Sequence, residues 1–135
     1  IACAGRQVLR VYFYTSEEKL NKAKLIHGEE AFGRCRIVLG HSIARGDGSI
    51  KEKGVDALLV ADLVYHAATK NCQYAVVFSN DSDFTFAIKR VEDFGCKTAI
   101  VSTVQKAPDR LIAACDDYYH IDKETIIKRG WGSEI

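Results

Sequence analysis

The chain has 135 residues, a formal net charge of +1 at pH 7 and a hydrophobic content of 47%. This length is enough for one domain with its own core, and the composition is typical of a soluble globule. A charge this close to zero excludes a global field that attracts nucleic acid or membranes, so any basic patch must be local. No apolar run approaches the roughly 20 residues of a membrane helix, and no signal peptide is visible. We therefore expect a single cytoplasmic domain over residues 1–135 with no membrane partner.

The cysteines do not follow a zinc-binding or disulfide pattern. There are five of them, an odd number, and no Cys-x-x-Cys pair occurs among Cys3, Cys35, Cys72, Cys96 and Cys115. Zinc sites and disulfide frameworks usually show paired or closely spaced cysteines. The pattern therefore predicts reduced and mostly buried thiols.

Strands alternate with helices along the whole chain. Strands are predicted over residues 7–14, 35–43, 75–78, 98–101 and 118–121. Helices are predicted over residues 16 to about 32, 55–70, 83–95, 107–112 and 122–130. This order is typical of an α/β fold, and we expect a three-layer sandwich with a mainly parallel central sheet.

Residues 40–54 form a long connection that carries the cations Arg45, Lys51 and Lys53. Loops of this length in a compact domain are often functional or mobile. A solvated hairpin-like loop is the other interpretation, and the sequence leaves both open. If the loop is functional, the three cations could hold a phosphodiester backbone electrostatically.

The helix predicted over residues 55–70 is apolar nearly all round, so it should be buried on more than one side. Two acids interrupt it. Asp56 lies in its first turn, where it is well placed to join a cluster at the helix start. Asp62 and Asp56 stand about 120° apart around the helix, given a rotation of roughly 100° per residue, so they do not form one stacked pair. An acid in an apolar stretch needs a partner, so Asp62 either supports a site or is a structural acid bonded to backbone; we favour the structural role.

The central stretch, residues 75–84, places two acids at the carboxyl end of a buried strand. Pockets of parallel sheets lie beyond this end of the strands. Helix capping explains one acid, with Ser82 or Asp83 as the expected cap. Capping does not require Asp81 as well, so capping and a metal or catalytic pair both remain open.

Aspartates that converge from separate segments repel one another unless a cation lies between them. Asp56, Asp81 and Asp83 supply the hard oxygen ligands that suit Mg²⁺ or Mn²⁺. Such an ion activates water and neutralises charge during phosphoryl transfer. The chain has no Gly-x-Gly-x-x-Gly, Walker or Gly-x-Ser-x-Gly motif, so dinucleotide, P-loop and serine-hydrolase chemistry are not indicated.

Several stretches together are similar to a known family. They are Lys53-Gly-Val-Asp56, Asp62 in its apolar helix, Phe78-Ser-Asn-Asp-Ser-Asp-Phe84, Gly95, the strand ending in Ser102, and the closing segment from Leu111 to Ile121. This combination resembles the NYN domain, a PIN-like ribonuclease family of the FEN/PIN superfamily, over about residues 8–121.

The resemblance implies a divalent-metal-dependent nuclease that usually acts on RNA, with acids that hold Mg²⁺ or Mn²⁺. Asp56, Asp81 and Asp83 match family acids and are the implied catalytic and metal-binding residues. Asp62 matches a further family acid. We therefore predict endonucleolytic hydrolysis of single-stranded or structured RNA by a PIN-like domain.

The sequence departs from the family pattern at two places. Asn80 stands where many relatives have glycine, and we assign it, with Ser79, to substrate binding alongside the loop cations. The family's first strand, which ends in an aspartate and lies in the middle of the sheet, has no counterpart before Gln7. We expect the full-length protein to supply this strand, because a sheet without its middle strand leaves backbone groups unpaired.

Two other functions remain open on the sequence. The main alternative is a catalytically weak or inactive RNA-binding or protein-interaction module with the same fold. A small-molecule or receiver-like domain is a third interpretation, which the basic residues Lys51 and Lys53 disfavour. The low net charge further predicts that RNA target choice depends on a protein partner or a homo-oligomer.

Overall fold

The computed structural model describes residues 5–130. They divide into two compact units, here called the first unit (Gly5–Asp62) and the second unit (from Leu63 onward). The predicted mixed α/β fold, with parallel strands joined by helices, is confirmed in each unit. Within the described residues the parallel strands form separate sheets of two and three strands rather than one central sheet.

The first unit begins with a strand–helix–strand crossover and continues into a hairpin. Its elements are β1 (Val11–Thr15), α1 (Glu17–His27), β2 (Cys35–Leu39), β3 (His41–Ala44), β4 (Ile50–Lys53) and the start of α2 (Val55–Ala68). β1 and β2 pair in parallel from Val11 opposite Cys35 to Thr15 opposite Leu39. α1 is shorter than predicted because Gly28, with a φ of 80°, ends it, and a 3-10 turn follows.

The long connection is an antiparallel hairpin of β3 and β4, a shape that leaves open whether its cations are functional. The strand predicted over residues 35–43 is divided at Gly40, which separates β2 from β3. A Cβ at Gly40 would lie 2.5 Å from Val55 Cγ2 and 2.8 Å from the Lys53 carbonyl oxygen. The chain passes so close to the start of α2 here that only glycine fits.

The second unit is a three-stranded parallel sheet with helical crossovers. Its elements after α2 are β5 (Tyr74–Phe78), α3 (Thr85–Asp93), β6 (Lys97–Thr103), α4 (Asp109–Ala114), β7 (Asp117–Ile121) and α5 (Lys123–Lys128). The strands are ordered β5-β6-β7, and both neighbouring pairs are parallel. Gly95 ends the α3 segment with a φ of 78°, a conformation that glycine adopts without strain.

The core of the second unit lies between α3, α4 and β6. Ile88, Val91, Ile100 and Leu111 are fully buried there. Burial of each such side chain stabilises the fold by about 1.5–3 kcal/mol. None of the helices within residues 5–130 is both long and apolar enough to cross a bilayer.

The four cysteines that the structure describes are free, and Cys3 lies outside the described residues. The prediction that the thiols are mostly buried is wrong for these four. Cys96 is buried, whereas Cys35, Cys72 and Cys115 are half-buried. Burial raises the pKa of the Cys96 thiol to about 12. The Sγ atoms of Cys72 and Cys96 lie 3.8 Å apart. The two thiols are within hydrogen-bond distance and form no disulfide.

Candidate functional site

The acidic turn, residues 79–84, follows β5 at the carboxyl edge of the second unit's sheet. Ser79 N donates to the Val101 carbonyl oxygen at 3.1 Å and extends the β5–β6 pairing by one residue. Asp81 N then donates to Ser79 Oγ at 3.0 Å. These two bonds fix the backbone direction where the strand gives way to a 3-10 turn over Ser82–Phe84. The carboxylates of the turn are thus positioned by local backbone bonds.

Asp81 is the cap of this turn, not Ser82 or Asp83 as expected. Its backbone is extended, with a φ of −82° and a ψ of 117°, and its Oδ1 accepts from Asp83 N at 2.9 Å. Ser82 and Asp83 already lie inside the turn, where a side chain cannot cap it. Within the described residues the exposed carboxylate of Asp83 forms no hydrogen bond or ion pair. Capping therefore explains Asp81 and leaves Asp83 without a structural role.

Asn80 presents a buried amide oxygen beside these acids. Its Nδ2 donates to the Thr103 carbonyl oxygen at 3.4 Å, which links the acidic turn to the end of β6. Among the described residues its Oδ1 is buried and accepts no hydrogen bond. A buried acceptor without a donor costs free energy, so this oxygen destabilises the turn.

A polar network lies at the end of the neighbouring strand. Ser102 is fully buried, and its Oγ lies 2.5 Å from the Tyr118 hydroxyl and 3.0 Å from His120 Nδ1. Ala107 N donates to the same tyrosine oxygen at 3.0 Å. The network therefore ties β6, β7 and the loop before α4 together behind the acidic turn.

The loop that leaves β6 is strained. Val104 has a φ of 69°, and a β-branched residue in this region is a genuine outlier. Its N–H donates to the Ile121 carbonyl oxygen at 3.0 Å, which holds the residue in place. Strained backbone is concentrated at functional sites, and this loop begins at the residue that Asn80 contacts.

The first unit holds the other two predicted acids. Asp56 lies exposed in the first turn of α2. Asp62 Oδ2 accepts from the Tyr14 hydroxyl at 2.8 Å. Burial, followed by this hydrogen bond, raises the pKa of Tyr14 above its ordinary value. Asp62 has the structural partner that we favoured, although the partner is a side chain rather than backbone.

The loop cations are placed on the β3–β4 hairpin of the first unit. Lys51 and Lys53 alternate with Glu52 along β4, so both project from the same face. Glu52 projects from the other face and pairs with Lys19. Arg45 lies at the hairpin tip, where its N–H donates to the Ser49 carbonyl oxygen. In the described part of the chain none of these three cations is neutralised by an ion pair, so all three can bind an anion.

Comparison with models of protein families identifies the family of this chain. A model of the NYN domain matches residues 2–122, which is most of its length. The chain belongs to the NYN domain family. This family is nuclease-like, so the resemblance seen in the sequence is confirmed at the level of the family.

The NYN domain also has a structural neighbour. A crystal structure of a protein of unknown function from Vibrio parahaemolyticus superimposes on it with a TM-score of 0.70. The two sequences are 20% identical, and the match covers 91% of this chain and 76% of the other. At this identity the likeness concerns the fold alone. No curated protein sequence matches the chain.

The donor set of the acidic turn suits a divalent ion. Across residues 5–130, no group of three or more His, Cys, Asp or Glu side chains is arranged to hold a metal. The acidic turn carries two carboxylates, those of Asp81 and Asp83. Mg²⁺ keeps several waters and commonly binds through only one or two carboxylates. These hard oxygens therefore fit Mg²⁺ or Mn²⁺ in chemical type.

The sequence did not indicate the network behind the acidic turn. Tyr118 and His120 alternate on β7, where Tyr118 lies opposite Ile100 and His120 lies opposite Ser102. A period of two on the final strand is visible in the sequence. The strand pairing that brings Ser102 to these residues is not, because it depends on the register between β6 and β7.

Proposed function

We propose that this NYN domain is a cytoplasmic, divalent-metal-dependent endoribonuclease with a PIN-like three-layer fold. The observation that carries the proposal is the carboxylate of Asp83, which no structural contact in the described residues explains. It lies next to Asp81 at the carboxyl end of a parallel strand, in a chain of a nuclease-like family. Free thiols are in keeping with a reducing compartment.

In this proposal Asp81 and Asp83 hold Mg²⁺ or Mn²⁺, directly or through water, with Asp56 as the third proposed ligand. Asp62 keeps its structural bond to Tyr14. When bound, the ion supplies positive charge to the phosphodiester that is cleaved. The bond from Asp81 N to Ser79 Oγ and the cap at Asp83 N keep the acidic turn rigid without the ion. Rigidity of this kind lowers the cost of assembling a ligand set.

The chain's own polar groups bind the substrate. Lys51, Lys53 and Arg45 attract the phosphates of RNA, and Ser79 and Asn80 contact the substrate beside the acidic turn. Target choice is assigned to a protein partner or a second copy of the chain, because the net charge of +1 gives little general attraction for RNA.

A second function is an RNA-binding or protein-interaction module without catalysis. It is favoured by the absence, over residues 5–130, of a group of three or more metal-binding side chains. Both functions predict RNA or protein binding, and they differ only in cleavage. An activity measurement therefore separates them.

The decisive experiment is cleavage of end-labelled single-stranded RNA in the presence of Mn²⁺ by full-length protein. We expect cleavage by the wild type, and loss of cleavage with EDTA and in Asp81→Asn and Asp83→Asn. Asp93→Asn is the matched control, because Asp93 is an exposed acid of the same unit that pairs with Arg90 at 3.1 Å. Absence of cleavage by folded wild type would favour the binding module instead.

A further inference from the structure

The α3 helix leaves one aromatic side chain in solvent. Phe84, Ile88 and Val91 pack into the core, whereas Phe86 on the opposite side is 70% exposed. A single exposed hydrophobic residue is ordinary in a soluble protein and by itself indicates nothing. Phe86 differs because its ring has a cationic neighbour.

Arg110 of α4 lies beside this ring. Its guanidinium carbon is 5.5 Å from the centre of the Phe86 ring, within the range of a cation–π contact. The adjacent carboxylate, Asp109, lies 3.6 Å from Lys106 Nζ. Within residues 5–130 no carboxylate pairs with Arg110. The ring and a guanidinium without a counter-ion therefore form one composite surface.

This surface borders the acidic turn. α4 packs against both α3 and the 3-10 turn Ser82–Phe84. Phe86 follows Asp83 by three positions, which is close to one helical turn or roughly 5 Å along the axis. A ligand held at the carboxylates of Asp81 and Asp83 would therefore reach Phe86 and Arg110 without leaving the second unit.

The chemistry of the surface fits a nucleotide better than a protein. The other exposed side chains on α3 are charged, namely Lys89, Arg90, Glu92 and Asp93. Protein interfaces need a continuous apolar centre, which one phenylalanine among charges does not provide. Aromatic rings next to arginine bind single-stranded nucleic acid, because every base has a π-face and every linkage has a phosphate.

We propose that Phe86 and Arg110 form a base-stacking site for single-stranded RNA at the edge of the acidic turn. Phe86 stacks on the base of a nucleotide that flanks the cleaved phosphodiester, and Arg110 binds the phosphate of that nucleotide. This proposal rests on the proposed function, since it names the substrate as single-stranded RNA. Binding can nevertheless be measured without cleavage, so the two proposals fail separately.

The first test is the affinity for a short fluorescent single-stranded RNA, measured by anisotropy in EDTA. We expect Phe86→Ala to weaken binding about tenfold, which is within the range for loss of one stacked base. Phe86→Trp should retain the affinity because the indole stacks at least as well. Tyr65→Ala is the matched control, since Tyr65 is another exposed aromatic residue (58% exposed) on a helix of the same unit. The Tyr65→Ala variant should bind the RNA with the affinity of the wild type.

The second test locates the stacked base. In a series of RNAs that each lack one base, wild type should lose about tenfold in affinity at one position, and Phe86→Ala should lose nothing further there. Equal affinities of Phe86→Ala and Tyr65→Ala, or a wild type that is indifferent to every missing base, would overturn the proposal. RNA binding that is too weak to detect would overturn it as well. A change in self-association at unchanged RNA affinity would assign the surface to a protein contact.

Discussion

Asp81 combines a structural bond with a proposed role in binding metal, and the two can be separated by substitution. One of its oxygens, Oδ1, accepts from Asp83 N. Asparagine caps helices about as well as aspartate, because its side-chain oxygen is an equivalent acceptor. Alanine removes the acceptor altogether. The pair of variants therefore distinguishes loss of the cap from loss of the charge.

We predict that Asp81→Asn keeps the free energy of unfolding within about 0.5 kcal/mol of wild type, whereas Asp81→Ala lowers it by about 1 kcal/mol. RNA cleavage should be lost in both. Urea denaturation followed by circular dichroism measures the first quantity, and the end-labelled RNA assay measures the second. Full activity in Asp81→Asn would show that the residue is a cap and nothing more.

Tyr14 and Asp62 predict a specific dependence of stability on pH. The folded protein raises the pKa of Tyr14 from its ordinary value of 10.0, through burial and then through the bond to Asp62. The raised pKa means that folding favours the protonated hydroxyl. This stabilisation is complete below about pH 10 and is lost as the pH rises further, because the unfolded tyrosine ionises first.

Tyr14→Phe should therefore lower stability by about 1–2 kcal/mol near neutral pH and remove this part of the alkaline decline. Urea denaturation at a series of pH values from about 8 to 11 measures both effects. Tyr65→Phe, at an exposed tyrosine, is the control and should keep the wild-type profile. An unchanged alkaline decline in Tyr14→Phe would show that the bond to Asp62 does not couple to folding.

Asp62→Asn tests whether this acid is structural. We expect lower stability, because a neutral amide oxygen accepts more weakly than a carboxylate, and unchanged affinity for Mn²⁺. Calorimetric titration with Mn²⁺ measures the affinity. Loss of Mn²⁺ binding at wild-type stability would instead make Asp62 part of the metal site.

At the scale of elements, the junction of the hairpin with α2 is the tightest point of the first unit. We predict that Gly40→Ala destabilises the protein by about 1–3 kcal/mol, because its Cβ would collide with Val55 and with backbone at Lys53. Gly46→Ala is the control, since nothing lies within 4 Å of a Cβ at that position. Thermal unfolding compares the two variants. Equal stabilities would mean that the junction relaxes at little cost.

The helices and strands were largely predictable from the sequence, but the points where they are interrupted were not. Apolar runs and caps located the strands and helices because these signals are local. The break at Gly40 depends on Val55, which is distant in sequence, so no local pattern reveals it. The two charged faces of β4, with Lys51 on one and Glu52 on the other, became visible only with the pairing of the hairpin.

The candidate site was predictable in part for the same reason. Asp81 and Asp83 stand out as acids after a buried strand, and the structure places them in one turn. The residue that caps the acidic turn was not predictable, because the 3-10 turn begins at Ser82, one residue before the predicted helix. The bonds of Ser102 to Tyr118 and His120 depend on the register between the paired strands β6 and β7, which no local pattern reveals.

At the scale of the whole molecule, a net charge of +1 limits how strongly RNA is attracted. If Arg45, Lys51, Lys53 and Arg110 each contact one phosphate, the logarithm of the association constant should fall with the logarithm of salt concentration with a slope of about −3. Replacing Lys51 and Lys53 by alanine should reduce this slope to about half. Anisotropy titrations at several salt concentrations measure it.

An unchanged slope in the double variant would remove the hairpin from the RNA-binding surface. Tight binding of generic RNA by the isolated chain at moderate salt would contradict the assignment of target choice to a partner. The matched control is Lys106→Ala, because Lys106 lies within ion-pair distance of Asp109 and should contribute less.

The exposed tip of the β3–β4 hairpin also has an evolutionary consequence. A Cβ at Gly46 or Gly48 would meet nothing within 4 Å, so there is free space around both glycines at the tip. Doubling the length of such a loop costs only about 0.6 kcal/mol of closure entropy. Insertions can therefore accumulate at the tip while the pairing of β3 with β4 keeps Lys51 and Lys53 in place. Related proteins can therefore differ in the length of this hairpin loop while the two lysines keep the same positions on β4.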